Sequence, residues 1–546
     1  MEKRVILALV LSLAVLFLYQ TFLEKWIAPP PVKKAAVENQ TSAQSGEIKE
    51  KTENTVAASL VKKEKPVSIS KYTEEIVTVE TPLYKASFSS KGGGIKIWQL
   101  KNYRESLEPA SSNVDMIASG LEEYPLQDNI IKGALSEAVY FKPSSANISL
   151  TTGQTGEITF IGVSKDGIKI EKRYTLSANN YNIQAETTIS NTSAGRFEGT
   201  LGTSLVSPTQ SLKKKTGYSS HNGAVVYADG KILRKDIKEG EEALKGKISW
   251  IGLEEMYFMS AIIPKKTENA IFSTTTTKDL IKTQLAVPIS LSPSSHTSIA
   301  YTAYIGPKEM AILASQKVHL DDSINLGWFT FLAKPMLISM NFLYEYIPNY
   351  GLVIILITVI IKILFHPLTK KGLDSMKEMQ KVQPQIAALR ERYKDDKEKM
   401  NRELMDLYKR YKINPLGGCL PMVLQVPVFI ALYNVLGTSI ELRHAPFMLW
   451  VTDLSAPDKL LQIPAALPLV GGSALGPLPL LMGATMFIQQ KMTPSTMDPA
   501  QAKMMLIMPV IFTFMFLNFP SGLVLYWLIN NVLSIAQQYY IQKTTK

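Results

Sequence analysis

The sequence predicts a polytopic α-helical membrane protein with six spans and a large all-β domain held outside the membrane. Two observations carry this. Long apolar runs occupy the N-terminus and most of the chain after residue 324, whereas residues 28–320 are polar and strand-like. Lys and Arg also gather in the segments that such spans would leave on the cytoplasmic side. Averages conceal the division: the 546 residues are 46% hydrophobic and carry a net charge of +12, and the mean hydropathy is +0.05. On such a chain the positive charge reports loop orientation and gives no argument for nucleic acid.

The N-terminal stretch MEKRVILALVLSLAVLFLYQTFLEKW places Lys3 and Arg4 before an apolar run of about 19 residues, the length of a span. No A-x-A site follows it, so residues 1–27 read as an uncleaved anchor whose start is cytoplasmic. Residues 28–71 mix Pro, Lys, Glu, Ser and Thr with almost no large apolar side chains. Nothing there offsets the entropy of folding, so the segment is a flexible linker. From residue 72 to 320 a period of two takes over in IVTVE, IKIEKRYTL, YNIQAETTIS and TSIAYTAYI, broken by the turn signals KGGG, KDG and ADG. This predicts a large all-β domain of packed antiparallel sheets. The single cysteine, Cys419, excludes an internal disulfide and a cysteine-based zinc site, and about 250 residues can bury a core of their own.

Residues 321–349 are apolar but interrupted by Lys334 and Pro335. If they spanned the bilayer, the next span would leave 369–413, dense in Lys and Arg from Lys370 to Lys412, on the outer side. The positive-inside bias opposes that, and the segment reads as an amphipathic helix lying in the interface. Core spans follow at about 350–368, 418–437, 475–491, 504–519 and 522–541. Between the first two, Leu373, Met376, Val382, Ile386, Leu389 and Tyr393 recur at three and four, KDDK at 394–397 supplies a turn, and Met400, Leu404, Leu407 and Tyr411 return. Residues 369–413 therefore read as a cytoplasmic helical hairpin. Both termini fall inside, with Lys491, Lys503, Lys543 and Lys546 on the cytoplasmic side.

Enzyme signatures are weak. GEEALKGK at 240–247 has one residue too many between its glycines for a phosphate loop, and Ile248 stands where Ser or Thr belongs. His221, His296, His319, His366 and His444 never approach metal-ligand spacing, so neither metal nor cofactor is expected. SKGGGI at 90–95 reads as a tight turn in a β domain. No internal repeat supports an inverted-repeat transporter.

Lys362 is the residue that asks for an explanation, because an ionisable group at membrane depth costs on the order of 3 kcal/mol. It lies eight residues before Lys370, about 12 Å along a helix, within snorkelling reach of cytoplasmic headgroups. Against snorkelling, Thr358, Lys362 and His366 share one helix face, and Trp527, Asn531, Ser534 and Gln538 repeat the pattern in the last span. Gln425 and Thr513 add one polar position each from the third and fifth spans. No Asp or Glu occurs between 346 and 373 or after 498, so the cluster reads as a wet, net-positive groove, though interhelical hydrogen bonds alone would also account for Asn531 or Ser534. Met482, Met486, Met492, Met497, Met504, Met505, Met508 and Met515 crowd two spans and the loop joining them. They suit ordinary packing, or a surface that accepts varied apolar partners.

The stretches NPLGGCLPMVLQVPVFIALY (414–433), APFMLWVTDLSAPD (445–458), GATMFIQQKMTP (483–494) and PVIFTFMFLNFPSGLVLYWLINNVLSIAQQ (509–538) closely resemble the YidC/Oxa/Alb family of membrane protein insertases. The order of anchor, linker, β domain, interfacial helix and five-helix core resembles the Gram-negative form of the family. The resemblance implies a bacterial inner-membrane protein whose periplasmic domain is a β supersandwich of sugar-mutarotase type. It implies a hydrophilic groove open to cytoplasm and lipid, no catalytic residue, no cofactor and no nucleotide hydrolysis. The implied partners are nascent membrane proteins, the lipid bilayer, components of the Sec translocon and, through the cytoplasmic loops, the ribosome or the signal-recognition receptor. Lys362 takes the place of the family's usual groove arginine, which keeps the charge but loses the bidentate fork. Thr358 and Trp527 take positions associated with substrate contact. Two rival functions remain at this level: a secondary transporter using Lys362 as an ion or anion site, and an anchored sugar-modifying enzyme acting through the β domain.

Overall fold

The strand Ile168–Ser177 shows how the sequence builds the β domain. Its inward positions are Ile168, Ile170, Lys172, Tyr174 and Leu176, every second residue, and all are buried except for the polar edges between them. The structure, a computed structural model, describes residues 73–132, 135–144, 147–163, 167–212, 221–235, 238–266, 269–411, 420–462, 474–492 and 499–544. The expected anchor 1–27 and linker 28–71 lie outside these residues.

Two large antiparallel sheets form the β domain. A nine-stranded sheet is centred on Ile168–Ser177, Asn182–Asn191 and His296–Pro307, and a six-stranded sheet on Phe197–Pro208 and Leu280–Leu291. A five-stranded sheet begins the domain, mixed because Ile76–Glu80 pairs in parallel with Ile148–Ser149. Their inner faces share one apolar core in which Trp98, Trp250, Tyr84 and Phe160 are fully buried.

Lys172 is the exception on an apolar face. Its ammonium crosses between the two large sheets to Asp128 at 2.8 Å, and both side chains are fully buried. Thr187 Oγ1 donates to the other carboxylate oxygen at 2.8 Å, while Lys172 also donates to the Leu126 carbonyl. Tyr174 donates its hydroxyl to the Gly93 carbonyl at 2.7 Å. The expected turn at SKGGGI is therefore clamped from the core. Gly92 and Gly93 both take φ near +60° (65° and 62°), a backbone conformation open chiefly to glycine.

From Lys308 the chain runs along the nine-stranded sheet. Glu254 receives Arg234 at 2.7 Å and Lys308 at 3.0 Å, Trp250 Nε1 donates to the Val318 carbonyl at 3.0 Å, and the ring of His319 stacks on Tyr227. Helix α1 (Thr330–Tyr346) follows. Ala333, Met336, Leu337 and Met340 face inward, and Phe331, Ile338, Phe342 and Tyr346 stand exposed on the opposite side. Lys334, which interrupts the apolar run, pairs back to Asp321 at 2.9 Å.

The helical region comprises α2 (Tyr350–Lys381), α3 (Gln383–Arg392), α4 (Lys397–Arg410), α5 (Leu420–Thr438), α6 (Pro477–Met492), α7 (Pro499–Phe516) and α8 (Ser521–Thr544). Each expected core span falls on one of these helices. Among the described residues α2 alone is long and apolar enough to cross a bilayer by length and composition, and Gln425–Thr438 and Met505–Phe516 are shorter apolar helices. The expected boundary at 368/369 is not a break. α2 continues through Pro367 to Lys381, about 48 Å in all, so the hairpin proper starts at Val382, where Pro384 in the first turn of α3 cannot extend a preceding helix. Leu373 and Met376 thus belong to α2, and the hairpin core is Met379, Val382, Ile386 and Leu407. The expected turn at KDDK is present, with Asp396 capping α4 through the Lys399 amide at 3.0 Å.

Replacing Lys172 by Met leaves Asp128 buried without its counter-charge and should destabilise the β domain by about 3–5 kcal/mol. Adding Asp128→Leu should recover most of that loss. Denaturant unfolding of the full chain in detergent, followed by circular dichroism in the β-sheet band, checks both.

Candidate functional site

Asn349 starts α2 by accepting the Leu352 amide on its side chain at 3.1 Å. Twelve residues after Tyr350, about 18 Å along the axis, the helix reaches Lys362. That is past the middle of a hydrocarbon layer about 30 Å thick. Its neighbours Ile360, Ile363 and Leu364 are exposed at the bundle surface, whereas Lys362 turns inward. Its Nζ donates to Ser534 Oγ of α8 at 2.7 Å, and Ser534 passes its own hydrogen to the Asn530 carbonyl at 2.7 Å. Lys362 therefore reaches across to a neighbouring helix and does not snorkel. Among the described residues no carboxylate lies within ion-pair distance of it.

Beside this contact is a recess bounded by Lys362, Phe365 and Thr369 of α2, Gln425 and Val428 of α5, and Tyr526 and Asn530 of α8. Gln425 Nε2 donates to the Tyr526 hydroxyl at 2.9 Å, which fixes the polar wall. The volume is about 20 Å³, room for about one water. The sequence led us to expect a wet groove here. The structure shows a small recess in which Ile361, Phe365, Leu368 and Val428 stand beside the polar side chains.

Of the expected residues, Lys362, Gln425 and Ser534 come together. The others do not line this recess. Thr358 is buried one turn away and returns its hydroxyl to the Ile354 carbonyl at 2.6 Å. His366 is exposed and meets Gln537 at 3.0 Å on the α2–α8 seam. Trp527 packs edge-on to Phe429 at 5.0 Å, with Phe512 and Phe516 beside it. Asn531 Nδ2 donates to Thr485 Oγ1 of α6 at 3.3 Å. Thr513 bonds to the Pro509 carbonyl at 2.7 Å and lies against Gly483 of α6, where no side chain keeps the helices apart. Gln538 is half-buried one turn beyond Ser534. The methionines divide between core and surface, with Met482 buried and Met515 exposed, and Met497 lies outside the described residues.

Tyr526 and Asn530 were missed. Their signal is the spacing of four through Tyr526, Asn530 and Ser534, one helix position removed from the face through Trp527 and Asn531.

At the end of the bundle nearest the β domain, the described residues of the loop between α5 and α6 bond to the starts of α2, α6 and α8. Asn349 Nδ2 donates to the Phe447 carbonyl at 2.8 Å, and Asp453 accepts from Ser455 and from the His444 amide. Ser521 donates to the Asp453 carbonyl at 2.6 Å. Asp458 Oδ2 accepts the indole N–H of Trp450 at 3.2 Å and the Leu478 amide at 2.9 Å, anchoring the first turn of α6.

Comparison with known proteins matches residues 342–546 to the family described as 60Kd inner membrane protein and residues 76–339 to the YidC periplasmic domain. The membrane protein insertase YidC of Pelobacter propionicus is 41% identical over 553 residues, covering 100% of this chain and 99% of its own. That of Syntrophus aciditrophicus is 42% identical over 566 residues, covering 100% of both. Among solved structures, an active YidC insertase with its first transmembrane domain resolved aligns over 86% of this chain and 93% of its own, at 18% identity and a TM-score of 0.38. A putative aldose 1-epimerase from Escherichia coli aligns over 43% of this chain and 99% of its own, at 9% identity and a TM-score of 0.29. No functional conclusion follows from either score.

Asp458→Ala removes two acceptor contacts at a buried helix start and should lower stability by about 1–3 kcal/mol. Asp458→Asn keeps an acceptor oxygen and should lose less. Thermal unfolding of the two variants in detergent distinguishes them.

Proposed function

The chain belongs to the YidC family of membrane protein insertases, and from that premise we propose that it inserts nascent inner-membrane proteins through the Lys362 recess without nucleotide hydrolysis. One observation carries the reading: Lys362 is turned into the bundle, bonded to the Ser534 hydroxyl, with no described carboxylate to neutralise it. An ammonium so placed attracts acidic residues of a segment being moved outward. Ser534 occupies it at rest, and an incoming carboxylate replaces a neutral hydrogen bond with a charge-assisted one. Because the recess holds about one water, a substrate must part α2, α5 and α8 to enter it.

The driving force is partition of the substrate's own apolar helix, about 0.3 to 0.6 kcal/mol per central Leu, Ile, Phe or Val. The membrane potential adds about 2.3 kcal/mol per acidic charge for each 100 mV crossed. The hydrogen-bonded loop between α5 and α6 at the β-domain end of the bundle supports a path open only from the cytoplasm and the lipid. In this topology both termini and the hairpin α3–α4 are cytoplasmic, six spans cross the membrane, and the β domain is periplasmic. The basic hairpin is the surface on which we place contact with a ribosome or signal-recognition receptor, and the bundle acts alone or beside Sec translocon components.

Lys362→Ala should reduce insertion of a single-span protein with an acidic N-terminal tail by about ten- to hundredfold, as loss of a hydrogen bond to a charged group implies. Lys362→Arg should retain most of it. Protease protection in vesicles containing only this protein is the readout, and equal insertion by all three would remove Lys362 from the mechanism.

A further inference from the structure

We propose that docking of the β domain on the helical core is controlled by protonation at Glu441, which faces Glu309 across the junction. Glu441 lies in the single 3-10 turn Ile440–Leu442 that follows α5. Its Oε1 accepts the Met310 amide from the β-domain side at 3.0 Å and Asn341 Nδ2 of α1 at 3.5 Å. Its Oε2 is buried with no hydrogen-bond partner among the described residues. Asn341 in turn accepts the Tyr350 hydroxyl of α2 at 3.1 Å. Glu309, the residue before Met310, accepts the Tyr103 hydroxyl at 3.3 Å. One carboxyl thus joins the β domain to three helices of the core.

The surrounding groups offer it no counter-charge. Facing the two carboxyls are Tyr103, Tyr181 and Tyr304 from the β domain, Asn341 from α1 and Tyr350 from α2. Arg443, two residues along Glu441's own loop, turns instead to the Glu105 carbonyl at 3.0 Å and lies over the rings of Tyr257 and Phe258. Lys308, next to Glu309, is held by Glu254 at 3.0 Å. Burial therefore raises both carboxyls above the ordinary value of 4.5, and the charge of Glu309 raises Glu441 further.

The sign follows from proton linkage. Docked, the pair binds protons more tightly than when water reaches it, so docking takes up protons. The stabilisation is complete below the ordinary carboxyl value and is lost as pH rises through the raised docked value. For one proton the docked-to-undocked ratio falls by up to about tenfold per pH unit within that window. The contacts of Arg443 and the bond from Asn434 to the Leu326 carbonyl do not involve these carboxyls, so ionisation loosens the junction without severing the connection. This inference concerns contacts within the chain and does not depend on the route taken by a substrate.

The test uses the full chain in lipid nanodiscs, with spin labels at Val163→Cys and Leu449→Cys on a Cys419→Ser background. Both labelled positions are exposed, one on the β domain and one on the loop between α5 and α6. From about pH 5 to about pH 8 the narrow distance population should give way to a broader one, and Glu441→Gln should hold the narrow population throughout. Glu309→Gln should shrink the change in ratio, giving a second arm should Glu441→Gln fold poorly. A distribution unaffected by pH, or a transition that survives unchanged in Glu441→Gln and Glu309→Gln, overturns the proposal.

Discussion

An ammonium group inside the one described helix long and apolar enough to cross a bilayer is the constraint around which the helical region is organised. A charge at that depth costs on the order of 3 kcal/mol unless polar atoms answer it. Here Ser534 of α8 accepts from Lys362, and Gln425 of α5 with Tyr526 and Asn530 of α8 line the recess beside it. Gln425 bonds to the Tyr526 hydroxyl and Ser534 to the Asn530 carbonyl, so these side chains are also answered within the bundle. The apolar neighbours Ile363 and Leu364 take the outward face, which lets a single helix present charge to its neighbours and aliphatic surface to lipid.

The β domain holds buried lysines too, and the contrast clarifies what Lys362 is for. Lys172 meets Asp128 at 2.8 Å and Lys308 meets Glu254 at 3.0 Å, a carboxylate that Arg234 shares, so each lysine has an acidic partner within the fold. Such pairs fix one arrangement of sheets or connector and offer nothing to a ligand. Lys362, by contrast, donates to a neutral hydroxyl, that of Ser534, and among the described residues meets no carboxylate.

Between these two regions stands a junction of a third kind. Glu441 and Glu309 bring acid to acid, with phenols and an amide around them, so the contact between β domain and core is neither a closed ion pair nor a purely apolar surface. Neighbouring contacts through Arg443 and Asn434 supply attraction that does not depend on the ionisation of these acids.

Element type and order were legible from the sequence because they rest on local periodicity. The period of two in IKIEKRYTL, the KGGG turn, the KDDK turn and the apolar runs of the core each specify their structure from a few neighbouring residues. The same alternation placed Lys172 among inward positions, but its partner Asp128 lies 44 residues away on another sheet, beyond the reach of any local pattern. The continuation of α2 past 368 is not legible because the apolar run ends there, whereas the helix runs on to Lys381 with Lys377 bonded to the Ile541 carbonyl at the end of α8. Lys362 is legible by its charge in an apolar run and Ser534 by its place in the polar stripe of α8, but Tyr526 and Asn530, which line the recess with Lys362, are not. The faces through Trp527 and Asn531 and through Tyr526 and Asn530 lie one residue apart and are equally helical. Choosing between them depends on how Phe429, Phe512 and Phe516 draw Trp527 aside, a choice made only when helices distant in sequence pack together.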